Sequence, residues 1–362
     1  MKIALIAAAL CALHGAVAAA AAPDTHAPPH GAAATSPYTS NTDYLSSLQP
    51  YRPLQSVSGT IRVWGNPYIP ELLQAWQDGF RRQHPGISFD TNMQGTEAAM
   101  AGLYGGIADI VFIGREPYQP ELDAFQDWFG YAPSGIKITS GSYATQHKTF
   151  ALMVYVHKDN PLAKLSLKQL DAIYSAERRR GAAKPVRTWG DLGLTGAWAK
   201  RPVHIYGYDF DTGMAGFFRK TVLRDSYRWN PDMKDFNNGR TPAGEVINAG
   251  TYILDAVAKD PDGIGFANVL FENPGVRSIA LREGESGSYV APTMDNAWRR
   301  SYPLTRYSTA FVNRVPGHPV DPKLREFMRY ILSRDGMHAV VQDRAFLPLN
   351  AEAIRNELKQ IE

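Results

Sequence analysis

Cysteine is almost missing from this chain. Cys11 is the only one in 362 residues, and it sits inside an apolar amino-terminal stretch that reads as an export signal. A chain cleaved after that stretch has no thiol. It can form no disulfide, bind no metal through thiolate and use no Cys nucleophile, so its stability rests on its core. Ala8-Ala9-Leu10 before Cys11 do not form a lipoprotein cleavage box, which needs an aliphatic residue three back and a small one immediately before. Long apolar runs are also missing. The run Ile3–Leu13 is broken by His14 and Gly15 and is too short to span a bilayer. No charge of one sign dominates: 38 Lys and Arg stand against 35 Asp and Glu, a net charge of +3, which does not point to nucleic acid. The motifs His-Glu-x-x-His, Gly-x-x-x-x-Gly-Lys-Ser/Thr and Gly-x-Ser-x-Gly are absent. The nine histidines are scattered, with none beside an acid at metal-ligand spacing. No cofactor, resident metal or catalytic set is expected, and no internal repeat of fixed period is visible.

What is present begins with targeting. Lys2, the short apolar run and the Ala-rich stretch to Ala22 make residues 1–22 a cleavable signal, which places the mature protein in the periplasm. Residues 23–57 are rich in Ala, Pro, Ser and Thr and read as a flexible spacer, with His26 and His30 solvated. The remainder is long enough for two domains of roughly 150 residues each.

The body alternates strand and helix. Thr60–Trp64 is a strand, ended by Gly65-Asn66-Pro67. Ile69, Leu72, Leu73, Trp76 and Phe80 recur at helical spacing up to His84-Pro85-Gly86. Ile87, Phe89, Thr91 and Met93 alternate as a half-buried strand. A helix over 97–104 and a strand over 109–113 follow. Three strands and two helices in so short a stretch imply parallel pairing. A helix over 120–129 and a short strand at Ile136 and Ile138 come next. The continuous apolar run Phe150–Val156 predicts a strand buried on both faces. Beyond it the pattern predicts helices over 165–174, 213–223, 252–258 and 324–332, and strands over 203–206, 263–267 and 308–312. Two further segments, 337–341 and 351–358, follow. The basic run Arg178-Arg179-Arg180 with Lys184 and Arg187 reads either as a solvated loop or as a surface for an anionic partner.

Three turns open helices directly after strands: Gly65-Asn66-Pro67, Gly95-Thr96 and Asp211-Thr212-Gly213. Free N–H groups and the macrodipole suit each helix start to an anion. The strand 109–113 also delivers Arg115 at its carboxyl end. One such turn is ordinary in an α/β protein; three carry weight if they converge.

From about Gly59 to Pro348 the chain resembles the periplasmic phosphate-binding proteins of ABC transporters. The residues that carry the resemblance are Gly59-Thr60-Ile61, Phe80 through His84-Pro85-Gly86, Gly105 to Asp109 with Gly114-Arg115, and Lys158-Asp159-Asn160-Pro161-Leu162. They continue with Leu165 to Tyr174, Trp189-Gly190-Asp191-Leu192, Gly263-Ile264-Gly265-Phe266 and Tyr302-Pro303-Leu304-Thr305-Arg306. The resemblance implies a type II periplasmic-binding-protein fold, in which two α/β lobes with mixed sheets are joined by two crossing hinge strands. Lobe 1 would comprise 58–150 and 300–362, and lobe 2 would comprise 151–299. The ligand would lie between the lobes, which would close about hinges near 152–156 and 305–312. It also implies a monomer that binds a small anion, phosphate or similar, and delivers it to an ABC permease.

The ligand loops depart from the family pattern. Gly-Ser-Thr after the first strand is Gly65-Asn66-Pro67 here, and Pro67 lacks an N–H. Gly-Ser-Gly in the second loop is Gly95-Thr96-Glu97. Ser-Arg or Ser-Asp in the third is Gly114-Arg115. Gly-Arg-x-x-x-Ser-Gly-Thr in the fourth is Gly207-Tyr208-Asp209-Phe210-Asp211-Thr212-Gly213, so the arginine has become Tyr208 and two acids have entered. A charge-assisted hydrogen bond is worth about 1.5–3 kcal/mol. A carboxylate ~4 Å from an anion costs about 4 kcal/mol at an effective dielectric of about 20. A micromolar site has only about 8 kcal/mol in all, so these losses are large. Asp211 would instead help if it accepted the proton that phosphate carries.

The candidate ligand residues are therefore Asn66, Gly95, Thr96, Arg115, Tyr208, Asp211, Thr212 and Gly213, with the N–H groups of Asn66, Gly95 and Gly213 facing the anion. Several residues in and around these loops have a plainer reading. Glu97 is an exposed first-turn acid, Asp211 is an N-cap, Asp209 faces solvent, Arg115 pairs with Glu116, and Trp64, Tyr68 and Trp76 belong to the core or the cleft wall. Beside a solute-binding protein stand two further functions: an envelope interaction or sensing module with an altered or vestigial pocket, and a hydrolase using Asp209 or Asp211.

Overall fold

The computed structural model describes residues 42–146 and 148–362. The signal at 1–22, Cys11, His26, His30 and the spacer up to 41 lie outside the described residues. The rest of the expected spacer corrects the composition-based reading. A short helix, α1 (Thr42–Ser46), leads into a segment that packs on the body. Tyr44, Leu48 and Val57 are buried, Tyr44 Oη donates to Leu349 O at 2.5 Å, and Tyr51 Oη donates to Glu326 Oε2 at 2.6 Å. Apolar residues too widely spaced to show a period are buried one at a time.

The first sheet contains β1 (Gly59–Gly65), β2 (Ile87–Asn92), β3 (Ile110–Ile113), β4 (Ser134–Thr139) and β14 (Ser308–Val312), in the order β2-β1-β3-β14-β4. The first three are parallel. β14 returns from the far end of the chain and lies antiparallel to β3 and to β4. Every residue of β3 is buried, because helices cover both faces. Ile110 and Phe112 join a core with Trp76 and Phe80 of α2 (Pro70–Gln83) and Phe327 of α9 (Pro322–Ile331). Val111 and Ile113 face the other way, against Met100 and Leu103 of α3 (Thr96–Tyr104) and Phe125 of α4 (Gln119–Phe129). This is the two-residue alternation of a strand with both faces covered. α10 (Arg334–Asp343) and α11 (Ala351–Ile361) complete the α2 face.

The second sheet repeats the plan. Its strands are β5 (Met153–His157), β7 (His204–Tyr208), β8 (Lys234–Phe236), β11 (Gly263–Ala267) and β12 (Val276–Ser278), in the order β12-β5-β11-β7-β8. β11, β7 and β8 are parallel, and β5 is antiparallel between β11 and β12. All five residues of β5 are buried, as the apolar run requires. α5 (Leu167–Tyr174), α6 (Gly213–Val222) and α7 (Ala249–Lys259) pack on this sheet. Ser166 caps α5 by accepting from Gln169 N. Leu165, expected in that helix, lies instead in β6 (Lys164–Ser166), which pairs with β13 (Ala280–Arg282). These two strands, β8, β12, the ribbon of β9 (Gly239–Arg240) with β10 (Val246–Ile247) and α8 (Met294–Trp298) have no sequence signature, because two to five residues are too few to show a period.

The two lobes are thus α/β layers with mixed sheets. The chain crosses between them just before β5 and again just before β14, and the crossings are tied where Leu152 N donates to Leu304 O at 3.0 Å. The hinges expected at 152–156 and 305–312 fall mostly inside β5 and β14, so the free crossing lies upstream of each. No described helix is long and apolar enough to cross a membrane.

Candidate functional site

The carboxyl ends of β1, β3 and β7 open onto one cleft between the two sheets, where open α/β sheets hold ligands. Its volume is about 290 Å³, at the small end of ligand pockets (about 300–1,000 Å³ for drug-sized molecules), so it suits a small solute. One lobe supplies Asn66, Tyr68 and Gly114, the other supplies Tyr208, Thr212, Gly213, Met214, Asn238 and Asn248, and the crossing segment supplies Lys148, Thr149 and Phe150. Among these lining residues there is no aspartate or glutamate, and Lys148 is the one charged side chain.

Of the eight expected ligand residues, the structure brings four to this lining: Asn66, Tyr208, Thr212 and Gly213. Thr96 lies behind Asn66. Its Oγ1 accepts from Asn66 Nδ2 at 3.3 Å and from Gly114 N at 3.4 Å, and the residue is buried. The expected role of the backbone N–H groups needs correction at two positions. Asn66 N donates to Phe112 O at 2.9 Å, and Gly95 N donates to Gly65 O at 3.0 Å. Both are used up in joining the strands, so neither faces a ligand. Gly213 N and Met214 N, by contrast, have no hydrogen-bond partner among the described residues.

The start of α6 is the clearest anion-binding feature. Thr212 is its N-cap, with Oγ1 accepting from Ala215 N at 3.2 Å and donating to Asp209 O at 2.8 Å. This corrects the alternative of Asp211 as N-cap. The macrodipole places partial positive charge at the two free N–H groups. Arg219 and Lys220 stand in the last turn. Arg180 Nε and Nη2 donate to Val222 O and Thr221 O, both at 2.6 Å, so this arginine of the basic run caps the helix. The start of α7 is closed by contrast, because Ala249 N donates to Asn238 Oδ1 and Gly250 N to Asn248 Oδ1, each at 2.9 Å. Both asparagines line the cleft.

Lys148 was not singled out in the sequence. It comes just ahead of the buried run that begins at Phe150, so its place at the end of a crossing segment was the available signal. Its Nζ donates to Tyr68 O at 2.7 Å and sits 5.4 Å from the Phe346 ring centre. Two ammonium protons remain. Tyr208 contributes a ring rather than a cation. Its hydroxyl points to Gly250, where an added Cβ would lie 2.8 Å away, and burial pushes its pKa up.

Arg115 stands at the rim and does not line the cleft. Its guanidinium donates to both carboxylate oxygens of Glu121 at 2.9 and 2.7 Å and to Glu97 Oε1 at 3.0 Å. It lies 3.5 Å from the centre of the Tyr118 ring. Its expected partner Glu116 gives it only the backbone oxygen, at 3.0 Å. The Glu116 carboxylate pairs instead with the buried Arg306 at 2.7 Å. Glu97 is held below the usual carboxylate range by its own backbone N–H at the start of α3 and then by Arg115.

The rim also joins the lobes. Tyr118 Oη donates to Asp211 O at 3.1 Å, and Lys220 Nζ donates to Pro117 O at 2.9 Å. Asp211 is exposed outside the cleft, and Asp209 accepts from Asn237 Nδ2 at 2.9 Å. Trp76 is core and Tyr68 is cleft wall, as expected.

Two larger hollows lie elsewhere. One of about 950 Å³ is at the amino end of β7 and includes Asp232 and Asp260; one of about 940 Å³ flanks the rim and includes Asp211 and Phe210. Near the first, folding brings His204, Asp260 and Asp262 together, with ligand atoms within 4.8 Å of one another. Asp260 already accepts from His204 Nδ1 at 2.7 Å and Tyr206 Oη at 2.8 Å, and Asp262 pairs with Arg201 at 2.7 Å.

Residues 52–335 match the PBP superfamily domain family. The chain is 30% identical over 315 residues to the phosphate-binding protein PstS of Pseudomonas aeruginosa, in each of two strains, covering 87% of this chain and 91% of that protein. The crystal structure of PstS from Borrelia burgdorferi superposes with a TM-score of 0.53 at 12% identity, covering 81% of this chain and all of that one.

Proposed function

The chain belongs to the PBP superfamily domain family, and on that premise we propose that it is a secreted, non-catalytic solute-binding protein that holds phosphate or a similar anion between its lobes for an ABC importer. The observation that carries this reading is the cleft lining. It has one ammonium, two free N–H groups at the start of α6 and no carboxylate. A buried anion needs donors and charge without a nearby acid. The name of the relatives with 30% identity supports phosphate as the first ligand to try.

In this reading Lys148, Asn66, Asn238, Asn248 and the N–H groups of Gly213 and Met214 hold the anion. Thr96 and Thr212 position them, Tyr208 walls the site, and Arg115 braces the rim. The mature protein is a periplasmic monomer with lobe 1 at 58–150 and 300–362 and lobe 2 at 151–299, following a signal at 1–22. The permease reads the closed form. The test is calorimetry of the mature chain with inorganic phosphate. Saturable heat at micromolar to millimolar phosphate is expected, and no heat up to millimolar refutes it.

The pairing of Arg115 with two carboxylates favours one second reading, a fold kept as an envelope interaction or sensing module with a vestigial pocket. It predicts no compaction by small-angle scattering with any anion, whereas the first reading predicts compaction with phosphate. Asp209 and Asp211 are not among the residues lining this cleft, which gives a hydrolase reading no support there.

A further inference from the structure

The two larger hollows belong to one groove. Both are lined by Ala176, Asn230 and Pro231, so they meet at that ridge. The ridge is tied down, since Ala176 N donates to Arg228 O at 2.9 Å and Asn230 N donates to Tyr174 O at 2.8 Å. Neither hollow shares a lining residue with the anion cleft. The rim half is walled by rings. Phe210 and Tyr227 are 47% and 66% exposed, the rings of Phe210 and Trp229 have centres 5.5 Å apart, and Tyr118 closes the lobe 1 side. The Arg219 guanidinium lies 3.7 Å from the centre of the Tyr227 ring.

The other half is basic. Arg178, Arg187, Lys234 and Lys259 line it, and Arg219 and Arg228 line the rim half. Of these cations only Arg219 has a carboxylate partner among the described residues, Asp225, and Arg178 Nε is buried with no hydrogen-bond partner. Three acids share the groove, Asp211, Asp232 and Asp260, and Asp260 is taken by His204 and Tyr206. Exposed rings beside arginines are the composition of binding hot spots, and an excess of unpaired cations selects an anionic partner. Charge and shape then narrow the occupant. A two-fold contact between copies would set these cations against themselves. Residues 23–41 of this chain contain a single acid, Asp24. A flat lipid surface meets cations that project, whereas these line a hollow. An extended acidic chain with one large apolar side chain satisfies both halves, and a tied ridge keeps the groove formed before it binds.

We propose that this groove is a docking site for an acidic segment of a partner protein, which lies extended across the Ala176–Pro231 ridge with an aromatic or leucine side chain among Phe210, Tyr227 and Trp229 and its carboxylates on the unpaired cations. The site is separate from the anion cleft and does not depend on what the cleft holds.

The experiment selects a random-peptide phage library on the immobilised mature chain and measures the enriched peptides by fluorescence anisotropy. Enriched peptides are expected to carry net negative charge and an aromatic or leucine residue, to compete with one another and to weaken as salt is raised. Arg228→Glu/Lys259→Glu is expected to weaken them by about tenfold or more, and Phe210→Ala/Tyr227→Ala by a similar factor. All four residues are exposed, so both variants should keep the wild-type melting temperature. No enriched peptide, or enriched peptides that are neutral or basic, overturns the proposal. Binding that both double variants leave intact overturns it as well, and an effect of the charge pair alone overturns the role of the rings. If no peptide is enriched while Arg228→Glu/Lys259→Glu abolishes binding to phosphatidylglycerol vesicles, the surface faces a membrane and the proposal falls.

Discussion

Replacing Arg115 by alanine separates a ligand from a brace. The Arg115 side chain is 9% exposed and that of Glu121 14% exposed, while that of Glu97 is 74% exposed. Truncating one partner of a buried ion pair costs about 3–5 kcal/mol, because the remaining charge loses its partner without regaining water. Glu121 is close to that limit, and the lower figure applies because it is not sealed. The exposed Glu97 contributes at most about 1 kcal/mol, and loss of the cation–π contact with Tyr118 adds about 0.5–2 kcal/mol. These contributions overlap, so we expect about 3 kcal/mol of destabilisation in all. At about 2 °C per kcal/mol for a chain of this size, the melting temperature should fall by about 6 °C. Anion affinity should change less than about threefold, since no Arg115 atom lines the cleft. A direct ligand would behave in the opposite way: loss of one charge-assisted hydrogen bond, about 1.5–3 kcal/mol, lowers affinity by about 10- to 150-fold. The assay is scanning calorimetry together with anion titration, on Arg115→Ala and on Arg115→Ala/Glu121→Gln. The double variant should recover part of the lost stability by removing the stranded carboxylate. A hundredfold loss of affinity with an unchanged melting temperature would refute the reasoning and restore Arg115 as a ligand.

Tyr118→Phe removes the donor that grips Asp211 O across the rim, so small-angle scattering of the ligand-free protein should show a larger radius of gyration than wild type; an unchanged radius counts against the contact as a latch. Gly79→Ala should lower the melting temperature, by the equivalent of about 1–3 kcal/mol of overpacking, because its Cβ would fall 1.7 Å from Tyr330 Oη; an unchanged melting curve would show that α2 and α9 have room to separate. His84 accepts from Val57 N at Nδ1 and meets the Tyr51 hydroxyl at Nε2, and burial lowers its pKa below the usual 6.5. A base with a depressed folded pKa contributes stability that is fully present above the unfolded value and is lost as pH falls through it. Hydrogen exchange at residues 51–57 should therefore quicken as pH is lowered from neutral, after correction for intrinsic rates, and the effect should be absent in His84→Asn.

The sequence carried much of the framework because its long elements have clear periods. The Trp76–Phe80 face of α2, the Phe150–Val156 run and the turns at Asn66 and Thr212 were legible, since apolar spacing and helix-start chemistry are local properties. Short strands such as β8 and β13 were not legible, because a few residues define no period. The segment 44–57 was misjudged because its buried residues are held by partners outside it, Tyr44 by Leu349 and Val57 by His84.

By itself, then, the sequence determined the α/β layering, the succession of parallel strands and the placing of helix starts at strand ends. It also leaves residues 12–362 without a thiol. Only the tertiary structure decided which polar groups are free. Asn66 N and Gly95 N are donors in any reading of the sequence, and folding gives them to Phe112 O and Gly65 O. Arg115 is a cation at a strand end, and folding surrounds it with Glu121, Glu97 and Tyr118. Lys148 has no motif, and the crossing segment sets it as the one charged side chain among the described residues lining the cleft. Local propensity fixes where a donor begins; whether it is left open for a ligand depends on acceptors brought from elsewhere in the chain, and buried donors are satisfied wherever geometry allows.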